Sequence, residues 1–275
     1  MTRVIGLNAR NAYINSRSSR RAILDARDKI VTKRVLTAAS VPVPPSLAVL
    51  ETSRKASQFQ WRAALPSAWV MKPSRGSRGR GVLVVNGCLD TSTWQLAGGQ
   101  ATAGELTDHA IQIIEGEHSC EDDHALIEPL LRPHPELVAL CPRGLCDVRV
   151  IFDGARPLAA MLRSPTDASG GRSNLHQGGL GLAVDLATGV VWRAHFAGQE
   201  ISNHPDTGTP LLGYKVPQWS AILEAGSRCS GATRLGYLGV DIVVDEDLGP
   251  VVLEVNSHPG LEIQNVARLG LGHWL

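Results

Sequence analysis

Residues 239–260, GVDIVVDEDLGPVVLEVNSHPG, place carboxylates inside two apolar, β-rich runs. The turn-forming residues Glu246–Gly249 between these runs predict a β-hairpin with a four-residue loop. Counting back from that loop, Asp241 lies directly opposite Glu254 on the neighbouring strand. Like charges that face each other destabilise a sheet, and the apolar neighbours favour an interior sheet. The hairpin therefore predicts that a cation lies between the two carboxylates.

The identity of that cation follows from the ligand atoms. Asn256 shares a face of its strand with Glu254, because side chains alternate along a strand. Asp241, Glu254 and Asn256 then offer only oxygen atoms, the ligands favoured by Mg²⁺, with Mn²⁺ as an alternative. We therefore expect a magnesium site. The competing interpretation pairs Asp241 with an arginine and leaves Glu254 solvated at a sheet edge.

A second segment, MKPSRGSRGRGVLVV at residues 71–85, places a glycine- and arginine-rich loop between two β-rich runs. A strand follows this loop, whereas the known phosphate-binding motifs lead into a helix. Backbone N–H groups exposed by glycine bind phosphate oxygens, and Lys72 adds a charge just before the loop. We expect Ser74–Gly81 to be a lid over polyphosphate; the alternative is a mobile basic hairpin. The candidate phosphate contacts are Gly76, Ser77, Gly79 and Gly81.

The elements that must position these segments alternate irregularly along the chain. Helices are predicted at 28–40, 104–116 and 217–232 from the spacing of their apolar residues. Strands are predicted at 68–73, 81–85, 124–131, 146–154, 156–164, 239–245 and 250–256. Because this order lacks the strict βαβ rhythm of a parallel sheet, the predicted fold class is α+β, in two lobes joined near residue 130.

The composition narrows the class of protein. The 275 residues are 43% hydrophobic and 19% charged, with a net charge of +1, as in ordinary globular proteins. This balance predicts no nucleic-acid partner, and the lack of a long apolar run predicts no membrane insertion. The five scattered cysteines contain no C-x-x-C pair and predict a reduced, cytoplasmic protein. Residues 1–27 are expected to form a solvated, partly ordered arm.

In their order along the chain, these segments resemble the ATP-grasp superfamily, and more narrowly the RimK-related α-L-glutamate ligase-like proteins. The resemblance covers nearly everything from Asp28 onward, and the order of its motifs is more specific than any one of them. The motifs are DKIVTKRVLTAASVPVPPS, WVMKPSRGSRGRGVLVV, LIEPLL, DVRVIFDG, LRSPTDASGGRSNLHQGGLG, HPDTG, GYLGVDIVVD and VLEVNSHPGLEIQNVARLG.

The resemblance implies an ATP-grasp fold with ATP between two α+β lobes. Residues 28–130 would form the N-terminal lobe with the glycine-rich lid, and residues 131–275 the C-terminal lobe with the metal site. The domain that usually precedes the first lobe would be much reduced, to residues 1–27. The substrate pocket would then be completed by Gly6–Asn11 or by a second subunit of a homo-oligomer.

Site residues follow from the resemblance by position. Lys29 and Lys72 would contact phosphates, and Glu128, with the backbone that follows it to Leu131, would hold the adenine. The remaining nucleotide contacts would be Asp147 at the ribose, with Arg172, Ser173 and Asn174. The catalytic residues would be Lys72, Arg172 and Asn174, and the family's metal ligands coincide with Asp241, Glu254 and Asn256.

Each of these assignments has a plain alternative. Lys29 is then an exposed first-turn lysine, Glu128 a charge at a strand end, and Asp147 the partner of Arg149 in a local ion pair. The segment GGRSNLHQGG becomes a flexible hairpin tip in which His176 is simply solvated.

The activity implied is an ATP-dependent carboxylate–amine ligation. ATP phosphorylates a carboxylate, and an amine then attacks the acylphosphate to give an amide, for example by adding glutamate or another amino acid to a peptide or small molecule. Phosphoryl transfer needs charge neutralisation and alignment more than a protein nucleophile. The alternatives are a non-catalytic ATP-binding regulatory module that acts with a partner protein, and a kinase that releases the phosphorylated acid.

Overall fold

Two separate β-sheets organise the chain in the computed structural model, which describes residues 6–76, 79–119, 121–270 and 272. The larger unit contains the described part of Met1–Arg27, together with Val31–Val43 and the described part of Arg132–Leu275. The smaller unit contains Asp28–Ile30 and the described part of Pro44–Leu131. The chain thus passes from the smaller to the larger unit after Leu131, and the N-terminal segment belongs to the larger one.

The helices are α1 Leu7–Arg17, α2 Arg20–Asp25, α3 Lys29–Ala38, α4 Ser53–Ser57, α5 Trp61–Ala64, α6 Ala103–Ile114, α7 Trp219–Thr233 and α8 Glu262–Ala267, with 3₁₀-helices η1 Pro135–Leu140 and η2 Leu175–Gln177. Four helices, α1, α3, α6 and α7, have ten or more residues, and the other helices are shorter. A capping box starts α6: the Thr102 hydroxyl accepts from the Glu105 N–H, and the Glu105 carboxylate accepts from the Thr102 N–H.

The strands form two sheets in which every pairing within the described residues is antiparallel. They are β1 Ala48–Leu50, β2 Trp69–Pro73, β3 Leu83–Cys88, β4 Thr93–Leu96, β5 Gly99–Thr102, β6 Ala125–Pro129, β7 Asp147–Asp153, β8 Arg156–Ser164, β9 Leu180–Val184, β10 Val191–Phe196, β11 Gln199–Glu200, β12 Tyr237–Asp245 and β13 Gly249–Asn256.

The smaller unit is built on a six-stranded sheet with the order β1-β6-β2-β3-β4-β5. Trp69 and Met71 on β2 are fully buried in one core with Leu106 and Ile113 of α6. Because side chains alternate along a strand, Lys72 points to the opposite face of this sheet. The hydrophobic pattern of β2 thus places a lysine on the face that α6 does not cover.

The larger unit is built on a seven-stranded sheet with the order β11-β10-β9-β8-β7-β12-β13. Its core includes Phe152 on β7, Ile242 on β12 and Ile222 of α7, all fully buried. Gly226 lets α7 approach closely, because a Cβ atom there would lie 2.5 Å from the Phe152 ring. The even-numbered residues of β7 and β12 therefore face α7, and the odd-numbered residues face the other side.

Helix α1 replaces the solvated arm that was expected at the N-terminus. Ile14 is fully buried, and the Tyr13 ring packs edge-on against Tyr237 at 5.6 Å between centroids. Arg17 forms an ion pair of 2.5 Å with Asp153. Since Asp153 and Tyr237 are odd-numbered residues of β7 and β12, α1 packs on the face of the sheet opposite α7.

The α+β class is confirmed by the antiparallel sheets and the helices packed against them. The hairpin β4–β5 and the strands β9 and β10 were not predicted, because they are short and lack a clear alternation of apolar residues. None of the helices in the described part of the chain has the length and apolar character needed to cross a bilayer.

The cysteines differ from the expectation of a fully reduced protein. Cys141 and Cys146, which have a sequence separation of 5, form a disulfide. The expectation of reduced cysteines is therefore wrong for this pair. Cys88 and Cys229 are free thiols, and burial raises the pKa of Cys229 to about 12. Cys120 lies outside the described residues.

Candidate functional site

The hairpin β12–β13 pairs Asp241 with Glu254, as the sequence predicts, but by a different count. Asp245 pairs with Gly249, so the loop has three residues rather than the four expected. A β-bulge at Leu253 then adds one residue to β13 and restores the pairing of Asp241 with Glu254. Two one-residue errors therefore cancelled. β13 is an edge strand of the sheet, while β12 is buried along its whole length, as expected for an interior sheet.

Charged side chains form a row across four neighbouring strands on the sheet face opposite α7. Arg163 on β8 pairs in register with Asp147 on β7, and Arg149 on β7 pairs in register with Asp241 on β12. We call Arg163, Asp147, Arg149, Asp241 and Glu254 the charged row. Directly paired residues of an antiparallel sheet point to the same face, so these five side chains lie on one surface.

Two arginines hold the carboxylates of the charged row. Arg149 donates to both oxygens of Asp241, at 2.7 Å from Nε and 2.6 Å from Nη2. Arg163 donates from Nε to Asp147 at 2.7 Å, and its Nη2 contacts both Asp147 and, at 3.0 Å, Asp241. The competing interpretation of Asp241, an arginine pair, is therefore what the structure has. The other alternative, a local ion pair between Asp147 and Arg149, is not what the structure has: Asp147 pairs with Arg163.

The pKa values of the row follow from this pairing. Burial acts to raise the pKa of Asp241, but Arg149 and Arg163 outweigh it and lower the pKa to about 2. Burial raises the pKa of Asp147; Arg163 opposes that rise, and the charge of Asp241 adds to it. Burial acts to lower the pKa of Arg163, but Asp147 and Asp241 raise it overall. Asp241 is therefore an anion at neutral pH.

The donor atoms of the predicted metal ligands are compatible with a divalent cation. Asn256 donates from Nδ2 to Asp241 Oδ2 at 3.2 Å, which leaves its amide oxygen as an acceptor. Asp241 Oδ1 accepts one hydrogen bond, from Arg149, and a carboxylate oxygen has two lone pairs. Within the described residues no group of three or more His, Cys, Asp or Glu side chains is arranged so that these side chains alone could hold a metal ion. Two carboxylates and an amide suit Mg²⁺, which typically adds phosphate and water oxygens.

The segment that contains Arg172, Ser173 and Asn174 lies over the same face of the sheet. A Cβ atom at Gly181, the partner of Arg163 in β9, would lie 2.8 Å from Leu175 and 2.6 Å from Val266 of α8. Asn174 caps η2 by accepting from the His176 N–H, and Ser173 donates to the Leu145 carbonyl.

The side chains at the two ends of this segment differ in exposure and pairing. Arg172 is exposed, so the structure does not bring its guanidinium into the charged row. His176, expected to be merely solvated in the alternative reading, contacts Glu262 at the start of α8 at 2.5 Å.

The smaller unit contains the other predicted nucleotide contacts. Lys72 on β2 and Glu128 on β6 form an ion pair, with 14% and 6% of their side chains exposed. The predicted phosphate contact and the predicted adenine contact are therefore adjacent on the sheet face opposite α6. Leu131, two residues after β6, is buried.

The beginning of the glycine-rich loop, Ser74–Gly81, is held by side chains from outside it. Lys29 donates from Nζ to the Gly76 carbonyl at 2.7 Å. The buried carboxylate of Asp123 accepts from the Ser74 hydroxyl at 2.7 Å and from the Arg75 N–H at 3.0 Å. Lys29 is therefore not simply an exposed first-turn lysine. Sequence reasoning missed Asp123, because an acidic residue in a polar stretch carries no periodic signal.

The end of the glycine-rich loop is held by histidine. Gly79 and Gly81 have φ values of 71° and 70°, in the left-handed region that favours glycine. His109 Nε2 lies 3.0 Å from the Gly81 carbonyl, and a Cβ atom at Gly81 would lie 2.6 Å from the His118 ring. Ser77 lies outside the described residues, and its role in phosphate binding stays a prediction.

Comparison with known proteins identifies the family. The family model for sugar-transfer associated ATP-grasp proteins matches residues 8–275. The chain belongs to this ATP-grasp family. The match covers both sheets and every motif from which the resemblance was drawn. The resemblance to ATP-grasp proteins is thereby confirmed.

Individual proteins are similar to parts of this ATP-grasp chain. A probable alpha-L-glutamate ligase from Trichodesmium erythraeum (strain IMS101) is 34% identical over 119 residues, which are 43% of this chain and 28% of that protein. The D-alanine–D-alanine ligase of Bacillus anthracis, complexed with ATP, aligns with a TM-score of 0.50 at 16% identity, over 88% of this chain and 60% of that one. The ATP-grasp ligase PsnB, complexed with minimal precursor, Mg and ADP, aligns with a TM-score of 0.48 at 16% identity, over 92% and 57%.

The chain therefore spans less than two thirds of the length of these relatives. The likeness to the Bacillus anthracis enzyme, at its low identity, concerns the ATP-grasp fold alone.

Proposed function

We propose that the protein is an ATP-dependent carboxylate–amine ligase that works through an acylphosphate. The observation that carries this proposal is the charged row of an ATP-grasp chain: two facing carboxylates and an amide beside two arginines, Arg163 buried and Arg149 mostly buried. This arrangement supplies fixed charges of both signs on one rigid surface. Phosphoryl transfer is catalysed mainly by such positioning and electrostatic stabilisation.

The proposed reaction has two steps. In the first, an oxygen of the substrate carboxylate forms a bond to the γ-phosphorus of ATP, and the bond from that phosphorus to the β,γ-bridging oxygen breaks, releasing ADP. In the second, the amine nitrogen bonds to the acyl carbon and loses a proton, and the bond from that carbon to the phosphate oxygen breaks. The products are an amide, ADP and phosphate.

In the larger unit, Glu254, Asn256 and Asp241 would hold Mg²⁺, with Mn²⁺ as a substitute. When bound, the metal neutralises phosphate charge and polarises phosphoryl oxygens. Asp241 is already ionised, because its pKa is about 2, and is therefore ready to act as a ligand at neutral pH. Arg149 and Arg163 compensate the carboxylates of the row when no metal is present.

In the smaller unit, Lys72 and Lys29 would bind phosphate oxygens, and Glu128 with the backbone to Leu131 would bind the adenine. Lys29 and the backbone of the glycine-rich loop are already in contact through the Gly76 carbonyl. Gly76, Gly79 and Gly81 would let the backbone N–H groups approach phosphate. Asp147 at the ribose, and Arg172, Ser173 and Asn174 around the nucleotide, remain predictions from the family motif.

The test is a mass-spectrometric screen of the purified protein. ATP, Mg²⁺ and pooled amino acids or short peptides are incubated with it, and ADP, phosphate and new amide masses are measured together. The proposal expects ADP release that depends on the added pool, with one amide formed per ADP. Omission of Mg²⁺ and the variant Glu254→Gln are the controls, and both are expected to abolish turnover.

Two other results would identify a different function. Tight ATP binding with no ADP release under any pool would contradict a ligase and favour a regulatory ATP-binding module. That alternative has a structural basis, because Asp241 and Glu128 already have cationic partners within the protein. ADP release with an accumulating phosphorylated acid and no amide would favour a kinase.

A further inference from the structure

Arg10 on α1 lies against the loop that follows the predicted metal ligands. Its Nη1 donates to the Pro259 carbonyl at 2.8 Å. Its Nε and Nη2 donate to Asn11 Oδ1 at 3.1 and 2.9 Å. Pro259 in turn lies over Gly239, where a Cβ atom would come within 2.6 Å of the proline. The guanidinium is thus fixed by a backbone carbonyl and an amide, both of them neutral.

This contact leaves Arg10 with unused charge and unused donors. A guanidinium has five N–H donors, and three are engaged by Pro259 and Asn11. In the described part of the chain no carboxylate lies within ion-pair distance of Arg10, whereas Arg17 on the same helix pairs with Asp153. A preorganised arginine with donors to spare is suited to bidentate recognition of carboxylate or phosphate.

The position of Arg10 along the sheet brings it close to the charged row. Tyr237, Gly239 and Asp241 are alternate residues of β12 on the same face. Tyr13 packs on Tyr237, and Arg10, one helical turn earlier, reaches the loop over Gly239. The next residue on this face is Asp241, about 7 Å further along the strand. Arg10 therefore lies at the loop over Gly239, two residues along β12 from Asp241, a predicted metal ligand.

His258 lies in the same loop, two residues after Asn256. Its Nδ1 is 3.1 Å from the Ser257 hydroxyl, and its side chain is partly buried. The nearby acid Glu262 is engaged by His176 at 2.5 Å. The loop therefore places His258 next to Pro259, whose carbonyl Arg10 contacts.

We propose that Arg10, with His258 in the loop that it contacts, binds an anionic group of the acid substrate, a carboxylate or phosphate distinct from the carboxylate that reacts. This subsite rests on the proposed ligase function for its biological meaning, but its anion binding can be measured independently. The acid substrate is then at least a dianion, such as a dicarboxylate or a phosphorylated acid. Helix α1 contributes a specificity residue to the larger unit.

The test is calorimetric titration of the full chain, saturated with a non-hydrolysable ATP analogue and Mg²⁺, at constant ionic strength. Glutarate probes the carboxylate source and inorganic phosphate the phosphate source, with valerate as the monoanion of matched length. The variants are Arg10→Met, which keeps the stem, Arg10→Lys, which keeps the charge, and His258→Asn. Arg21→Gln, an exposed arginine on α2 paired with Asp25, is the matched control.

The proposal expects saturable binding of glutarate or phosphate, and weaker binding of valerate. Arg10→Met should weaken the favoured anion roughly 10-fold or more, Arg10→Lys less, and Arg21→Gln not at all, with the affinity for the ATP analogue unchanged in all. Equal melting temperatures of Arg10→Met and the wild type establish that the loss is local. Absence of binding of both anions to the wild type, or equal binding by Arg10→Met, would overturn the subsite.

Failure of the ligase function gives a different result. Anion binding that depends on Arg10, in a protein that forms no amide from any pool, would reject the ligase and keep the subsite. Amide formation whose acid KM is the same in Arg10→Met and wild type would keep the ligase and reject the subsite.

Discussion

The charged row of the larger unit and the glycine-rich loop of the smaller unit hold their charged groups in opposite ways. In the row, each arginine is bound to carboxylates on neighbouring strands, so the charges are fixed by the sheet register itself. In the loop, the described contacts hold its two ends through Asp123, Lys29 and His109. The charged row is thus a surface whose charges are fixed by the strands of the fold. The loop is held at its ends, and its glycines Gly79 and Gly81 adopt backbone conformations that other residues rarely adopt.

This difference separates two kinds of mutational effect. Removing a charge from the row leaves a buried partner uncompensated, which affects stability as well as chemistry. Changing a glycine in the loop disturbs a backbone conformation while leaving the core intact. Variants in each region test whether the two regions respond differently.

The largest effect is expected for Glu254→Gln, which changes one predicted metal ligand without changing its size. Turnover should fall roughly 1000-fold or more, because several kcal/mol of charge stabilisation are lost. ADP release in the presence of Mg²⁺ is the measurement, and the melting temperature establishes that the fold is intact. Activity close to that of the wild type would remove Glu254 from the metal site.

The second effect concerns stability. Arg149→Met removes the bidentate partner of Asp241, in a pair whose side chains are only 12% and 5% exposed. The free energy of unfolding should fall by about 3 kcal/mol at most, because Asp241 remains a buried anion whose only remaining arginine contact among the described residues is Arg163. Urea denaturation measures it. The double variant Arg149→Met with Asp241→Asn should regain part of the loss, and equal losses in both would show that the pair has no such coupling.

The third effect tests the glycine-rich loop as a lid. Replacing Gly81 by Ala strains a residue at a φ of 70° and pushes a Cβ atom toward the His118 ring. The strain should cost about 1–2 kcal/mol, and the amide yield per ATP should fall more than the affinity for ATP, because an open site lets water hydrolyse the acylphosphate. Gly79→Ala should act in the same direction.

Gly98→Ala is the matched control for the loop variants, since a Cβ atom there meets nothing within 4 Å. Calorimetry gives the nucleotide affinity, and amide formed per ATP consumed gives the yield. Proportional losses of both would make the loop a binding element only, and no change in either would make it a basic hairpin without a role.

The smallest effect is a pH dependence at the end of the loop. Burial lowers the pKa of His109; the Gly81 hydrogen bond opposes that, while His118 lowers it further and Glu117 raises it. The pKa of His109 is lower in the folded state than in the unfolded state. As the pH falls, the unfolded state therefore binds a proton at a higher pH than the folded state does. Stability from this group is therefore complete above pH 6.5 and declines as the pH falls below it.

The expected decline is roughly a few tenths of a kcal/mol, since His109 is only partly buried. Thermal unfolding of the wild type and His109→Gln between pH 7.5 and about 5 measures it. The variant should lack this component, and parallel pH profiles would contradict the assignment.

The sequence predicts the charged row better than the loop contacts, for a physical reason. Strand alternation and a hairpin turn place Asp241 against Glu254, even though the turn count was one residue off and the bulge at Leu253 was missed. The partners Arg149 and Arg163 were not predicted, because they depend on which strands become neighbours. Strand order is set by tertiary packing and is not encoded in any local spacing.

The anchors of the loop were beyond sequence reasoning for a similar reason. Asp123 and His109 are far from the loop in sequence. Asp123 accepts from the Ser74 hydroxyl and the Arg75 N–H, and His109 contacts the Gly81 carbonyl, so in these contacts neither pairs with a side chain of complementary charge. The N-terminal segment was misjudged because α1 has a weak amphipathic pattern with one fully buried residue, Ile14. Its docking depends on the surface of the sheet and not on its own sequence alone.

An isotope measurement can detect the proposed acylphosphate through the oxygen atom that it passes to phosphate. Amino acids and peptides labelled with oxygen-18 in both carboxylate oxygens are incubated with the protein, ATP and Mg²⁺ in unlabelled water. Attack of the carboxylate on the γ-phosphorus, followed by displacement by the amine, transfers one labelled oxygen to phosphate. The account predicts phosphate that carries one oxygen-18 per amide formed. Release of unlabelled phosphate, or no phosphate release with any pool, would contradict it.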